Sequence, residues 1–200
     1  MLHTSALACE RGGLRLFSGL EFSLPPGGLL RVRGANGSGK TTLLRTLAGL
    51  TRPSEGAVRW RGEPIGEDYR KEMLFLGHAA GVKDELTVLE NLEFAVQLSG
   101  SNDSDCKRAL EQLGITRLAG LPARYLSQGQ RRRAALARLA LSAQVPLWLL
   151  DEPFAALDRD GIERLRALCA AHLAAGGLLV LTSHQDVPIP SAAPQEIELR

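Results

Sequence analysis

Uninterrupted apolar runs alternate along this chain with amphipathic stretches, and the two kinds of pattern predict different elements. Leu29-Leu30-Arg31-Val32-Arg33 suits a strand, and Thr42-Leu43-Leu44-Arg45-Thr46-Leu47-Ala48 suits a helix with Leu43, Leu44 and Leu47 on one face. Upstream, residues 4–24 hold two short apolar stretches around Arg11-Gly12-Gly13, and Pro25-Pro26-Gly27-Gly28 punctuates the chain. This reads as an antiparallel hairpin region. After the turn residues Arg52-Pro53-Ser54-Glu55-Gly56, Ala57 to Gly62 alternates and predicts a half-exposed strand. Met73-Leu74-Phe75-Leu76 predicts a buried strand that ends at Gly77-His78.

From about 87 to 142 the period is helical. Thr87-Val88-Leu89-Glu90 matches a capping box and opens a helix with Leu92, Ala95 and Val96 on one face. Ser99 to Asp105 is expected as a polar loop, and 106–113 as a short helix stopped by Gly114. Leu126-Ser127-Gln128-Gly129-Gln130 leads into a further helix carrying Arg131-Arg132-Arg133 and Arg138. Leu147-Trp148-Leu149-Leu150 and Leu178-Leu179-Val180-Leu181 carry no polar residue, as parallel strands buried on both faces require. Between them a helix with Ile162, Leu165, Leu168 and Leu173 inward ends at Gly176-Gly177. The expected fold is α/β, with an antiparallel β region and an inserted helical subdomain. One domain is expected over 1–200, its core at about 1–86 and 143–200 and its helical part at about 87–142.

Composition narrows the classes without choosing among them. The chain is 44% hydrophobic, 23% charged and 4% aromatic, ordinary for a globular protein. A net charge of +2 does not suggest a polyanion-binding protein, and Arg131 to Arg133 are read as a solvated helix face. Cys9, Cys106 and Cys169 lie far apart without metal-ligand spacing, so buried reduced thiols and a reducing compartment are expected. Residues 1–10 lack the basic start and apolar run of a leader, and no apolar run approaches the roughly 20 residues that cross a bilayer. Membrane spans, if the work needs them, are expected from another chain.

The chemistry centres on Gly34-Ala35-Asn36-Gly37-Ser38-Gly39-Lys40-Thr41, which fits G-x-x-x-x-G-K-[ST] between the predicted strand and helix. In that context backbone N–H groups converge on a polyphosphate over a helix N-terminus, joined by the next residue, Thr42. Lys40 then reaches the β- and γ-phosphates, and the Thr41 hydroxyl ligates Mg²⁺. Asp151, following four apolar residues, suits a carboxylate on the metal side, and Glu152 suits a general base or water-positioning group. His184 follows the last buried strand, where it contacts a γ-phosphate or holds the attacking water. His3 and His172 are read as terminal and helix-face residues. The loop at 34–41, Asp151-Glu152 and His184 all fall where open α/β sheets bind ligands, beyond strand carboxyl ends.

The ordered set Gly34–Thr41, Leu126–Gln130, Leu147–Glu152, Ala156-Leu157-Asp158 and His184 resembles the nucleotide-binding subunits of ATP-binding cassette transporters, from about residue 2 to 187. The resemblance implies a P-loop ATPase with ATP and Mg²⁺ as cofactors, Glu152 as base, His184 as switch histidine and Lys40 in catalysis. It implies a homodimer in the ATP-bound state, in which Ser127, Gly129 and Gln130 complete the partner's site and Asp158 joins the two sites. Three positions depart from the family pattern: Gln128 for a glycine, His78 for a glutamine, and Arg11 near the place of an adenine-stacking aromatic ring. Arg11 and His78 are kept as nucleotide-site candidates, and His78 raises the expectation of a pH-sensitive hydrolysis. Gly77-His78, Gly81-x-Lys83-x-Glu85-Leu86-Thr87 and Thr182-Ser183-His184-Gln185 resemble, within the family, the subunits that serve heme export in cytochrome c biogenesis. That implies integral membrane partners of a heme exporter, a peripheral place on the cytoplasmic face of a bacterial inner membrane, and no nucleic acid. With 16 residues after His184, no regulatory domain is expected.

Other readings stay open from sequence. One is the ATPase of a different small-molecule transporter, another a soluble cassette ATPase, a third a nucleotide sensor without turnover. No C-x-x-C-H or other heme ligand set is visible.

Overall fold

The computed structural model describes residues 1–79, 81–99, 105–190 and 193–199. In chain order the elements are β1 (Leu2–Arg11), β2 (Leu14–Leu24), β3 (Leu29–Gly34), α1 (Lys40–Leu47), β4 (Glu55–Trp60), β5 (Glu63–Pro64), α2 (Glu67–Lys71), β6 (Met73–Leu76) and α3 (Val88–Ser99). They continue with α4 (Cys106–Gln112), two short 3-10 turns, α5 (Gln128–Ala140), β7 (Leu147–Leu150), α6 (Arg159–Ala174), β8 (Leu178–Thr182) and β9 (Gln195–Leu199). Most of the polar loop expected at 99–105 lies outside the described residues.

Two sheets divide the strands. An antiparallel sheet runs β2-β1-β4-β5, and its first pair is the hairpin expected at the start of the chain. The second sheet, in order β6-β7-β8-β3-β9, is parallel throughout. Its inner strands show why they read as unbroken apolar runs. Leu147 and Leu149 of β7, with Leu178 and Val180 of β8, pack toward α1 and the antiparallel sheet. Trp148 and Leu150, with Leu179 and Leu181, pack toward the helical side. A period of two with apolar residues on both faces leaves no polar face to alternate. Each fully buried leucine contributes roughly 1.5–3 kcal/mol.

Among the described residues the segment from 87 to 142 carries helices and turns, with one isolated bridge between Thr87 and Pro122. Its entry is the expected capping box: Glu90 accepts from the Thr87 N–H at 2.7 Å, and the Glu90 N–H donates to Thr87 Oγ1 at 3.2 Å. Helix α5 packs against α3, α4 and α6, and so lies between the helical elements and the parallel sheet.

His172 corrects its sequence reading as a helix-face residue. The ring is buried, stacks on Trp148 with centroids 3.8 Å apart, and bonds the Leu178 carbonyl through Nε2 at 3.2 Å. Burial holds its pKa below the ordinary histidine value, opposed only by the Leu178 bond. The three cysteines are buried and not joined in disulfides, as expected.

Candidate active site

The phosphate loop forms because β3 ends at Gly34 and α1 begins at Lys40, with Gly39 as N-cap in the left-handed region at φ 95°. No side chain caps this helix, so its first N–H groups remain available to a ligand. Lys40 is buried and its Nζ donates to Gly34 O at 2.9 Å and Ala35 O at 3.0 Å, folding the ammonium over the loop. Ser38 Oγ, inside the loop, is buried without a hydrogen-bond partner.

Across the strand ends a continuous polar chain connects the loop to the other candidates. Thr41 Oγ1 donates to Asp151 Oδ2 at 2.8 Å, and Thr182 Oγ1 donates to Asp151 Oδ1 at 2.7 Å. Thr182 Oγ1 in turn accepts the Glu152 N–H at 2.8 Å. Asp151 is 1% exposed, and a carboxylate this buried is tolerated only with such partners. Glu152 sits at φ 49°, in the left-handed region that non-glycine residues adopt at a cost of roughly 1–3 kcal/mol. Its Oε2 accepts the His184 N–H at 3.3 Å, and its Oε1 lies 3.3 Å from His184 Nε2 while lacking a hydrogen bond of its own.

These groups line one cleft of about 800 Å³. Arg11, Asn36, Gly37, Gly39, Lys40, Thr41, Thr42, His78, Asp151, Glu152 and His184 all reach it, together with Leu14 and Leu16 beside Arg11. Gly34, Ala35 and Ser38 build the loop without lining the cleft.

Ser127, Gly129 and Gln130 are not brought to that cleft. They line a separate pocket of about 290 Å³ with Arg133, Ala156 and Asp158. Ser127 caps α5 reciprocally: its Oγ accepts the Gln130 N–H at 3.3 Å, and its own N–H donates to Gln130 Oε1 at 2.9 Å. Gly129 is required by close approach, because a Cβ there would stand 2.6 Å from Ala156 O. Gln128 lines the neighbouring groove beside His78 instead of this pocket. Asp158 caps α6 by accepting the Gly161 N–H at 2.9 Å, and it pairs with Arg133; both hold its carboxyl below the usual range.

The solvated-face reading of the three arginines is wrong for two of them. Three consecutive residues span about 200° of a helix circumference, so they cannot share one face. Arg131 pairs with Asp84 at the surface, whereas Arg132 and Arg133 are buried. Arg133 donates to Leu113 O at 3.2 Å and Asp160 Oδ2 at 3.0 Å. Arg132 donates to the carbonyls of Gly77, His78, Asp151 and Glu152. Burial pulls the Arg132 guanidinium below its ordinary pKa, and the Asp151 and Glu152 charges work against that. Sequence reading also missed Thr182, although one polar residue ending a buried run beside the Asp151 strand is a usable signal.

Residues 17–155 match the family described as ABC transporter. The chain belongs to that family and is an ATP-binding cassette that binds and hydrolyses ATP. It is 47% identical over 204 residues to the cytochrome c biogenesis ATP-binding export protein CcmA of Dechloromonas aromatica strain RCB, covering 100% of both chains. It is 50% identical over 193 residues to the protein of that name from Methylococcus capsulatus strain Bath, covering 94% of this chain and 93% of the other. A bacterial ABC transporter cassette solved as a dimer superposes with a TM-score of 0.79 at 27% identity, over 92% of this chain and 88% of that one. Among the described residues no helix is long and apolar enough to cross a membrane.

Proposed function

We propose that this chain supplies the ATP hydrolysis that drives an export step of cytochrome c biogenesis, with heme or its carrier as the species handled. The observation that supports the chemistry most is the polar chain from Thr41 through Asp151 and Thr182 to Glu152, which joins the phosphate loop to the other strand ends. The export assignment rests on the relatives named for it.

In this reading the N–H groups of residues 34–39 and of Thr41 and Thr42 hold the phosphates, and Lys40 leaves its loop carbonyls for phosphate oxygens. Thr41 and Asp151 offer hard oxygen donors and fit Mg²⁺, which when bound supplies charge neutralisation at the phosphates. Glu152 accepts the proton of the attacking water, and His184 keeps that carboxylate in place, its N–H at Oε2 and its Nε2 beside Oε1. Arg11 and Leu14 line the same cleft and suit contact with the base, and His78, which also lines it, suits contact with the nucleotide.

Ser127, Gly129 and Gln130 lie in a pocket of their own, which suits completion of a second copy's site in an ATP-bound homodimer. Residues of about 87–142 act as the helical subdomain of a core formed by about 1–86 and 143–200. The membrane path belongs to integral subunits of a heme exporter, with this chain peripheral on the cytoplasmic face of a bacterial inner membrane.

Purification of tagged Glu152→Gln chain from its native membranes with Mg-ATP, followed by mass spectrometry, tests the assignment. Co-purifying heme-exporter membrane subunits are the expected result. A different permease would replace heme export while leaving the catalytic roles, and the absence of any membrane protein would remove the transporter reading.

A further inference from the structure

We propose that Arg132 is a positioning residue for ATP hydrolysis, one guanidinium that clamps the backbone on both sides of His78 and of Glu152. Its Nη1 donates to Gly77 O at 3.1 Å and His78 O at 3.4 Å, the two carbonyls that flank His78. Its Nη2 donates to Asp151 O at 2.7 Å and Glu152 O at 2.9 Å, the two that flank Glu152. A planar fork can span two strand ends this way, which a point-charge ammonium cannot do in one geometry.

The arrangement is costly, and the cost points to a purpose. Arg132 is 6% exposed, its Nε has no hydrogen-bond partner, and among the described residues no carboxylate forms an ion pair with it. Glu152 meanwhile holds a left-handed φ of 49°, a conformation that persists only where the surroundings over-determine it. Thr182 takes the Glu152 N–H and Arg132 takes the carbonyls before and after it, so every backbone polar group around the carboxylate is tied down. None of the four carbonyls belongs to the phosphate loop, so the clamp acts on the backbone of His78 and Glu152 and leaves the loop itself alone. Arg132 also lies on α5, about one and a half turns from its Ser127 cap. A shift of that helix is therefore passed to His78 and Glu152 together.

The inference rests on the reading of Glu152 as the base, and the test separates the two. Full-length Arg132→Gln and Arg132→Lys are compared with wild type, Glu152→Gln and Lys40→Ala in the assembled complex for Mg-ATP turnover, KM, fluorescent-ATP binding and thermal unfolding. Arg132→Gln should lower kcat on the order of tenfold with KM and ATP binding within about twofold, since loss of positioning alone costs that much. Arg132→Lys should fall about three- to fivefold, because it keeps the charge and loses the fork. Wild-type kcat in either variant, or equal losses of kcat and ATP binding, overturns the inference. Should Arg132→Gln not fold, the Arg132→Lys split of kcat against KM decides. Inactive Glu152→Gln beside fully active Arg132→Gln removes the clamp alone, whereas fully active Glu152→Gln removes the base assignment itself.

Discussion

At the level of single residues, Thr182 connects more of the site than its place at the end of an apolar run suggests. One hydroxyl donates to Asp151 and accepts from the Glu152 N–H. Thr182→Val keeps the shape and removes both bonds, leaving buried groups unpaired at about 1–3 kcal/mol. The expected outcome is lower stability in urea unfolding and kcat reduced on the order of tenfold, with ATP binding nearly unchanged. His78 is the second residue with a specific consequence. It lines the catalytic cleft, so the pH-sensitive hydrolysis expected of it should appear as a difference between the pH–rate profiles of wild type and His78→Gln. Superimposed pH–rate profiles of the two proteins would remove that role.

At the level of elements, β7 and α6 meet at the stacked pair of Trp148 and His172. Gly177 leaves the room for this stack, because a Cβ there would stand 2.2 Å from the His172 ring. Gly177→Ala should destabilise the chain by about 1–3 kcal/mol through overpacking, measurable as a lower urea midpoint. The pH dependence has a definite sign. His172 is held below its ordinary pKa by burial, so the unfolded chain binds more protons than the folded one in acid. Its contribution is fully present above the unfolded value of about 6.5 and is lost as pH falls below it. His172→Phe should flatten that acid loss in urea unfolding between about pH 5 and 7.

The elements also show how far sequence reading reaches. The hairpin, the phosphate loop between strand and helix, and the buried strands β7 and β8 were legible because their periods and glycines have few alternative meanings. β9 was not foreseen: it is five residues with two apolar positions, and its place beside β3 comes from pairing, with Arg33 reaching Glu196. The burial of Arg132 and Arg133 was hidden because charge predicts solvent unless the partners are known, and those of Arg132 are backbone carbonyls. His172 was hidden for the related reason that its partner is an aromatic ring on another element.

Over the whole molecule, the parallel sheet brings β3, β6, β7 and β8 to one edge of a single cleft, and α5 carries Ser127, Gly129 and Gln130 to another pocket. This separation accounts for the proposed need of two copies: one chain offers a loop, a metal side and a base, and its partner offers the remaining contact. Variants of Ser127 should accordingly be complemented in mixed dimers with Lys40→Ala chains, with about half of the sites assembled from intact parts in a head-to-tail pair. The most direct test of the account is phosphate release from Mg-ATP by the assembled complex, measured for wild type, Glu152→Gln and Lys40→Ala with ATP binding followed in parallel. The account predicts turnover in wild type and a loss on the order of 100-fold or more in both variants. ATP should stay bound to Glu152→Gln and be lost from Lys40→Ala. Wild-type turnover in Glu152→Gln would contradict it.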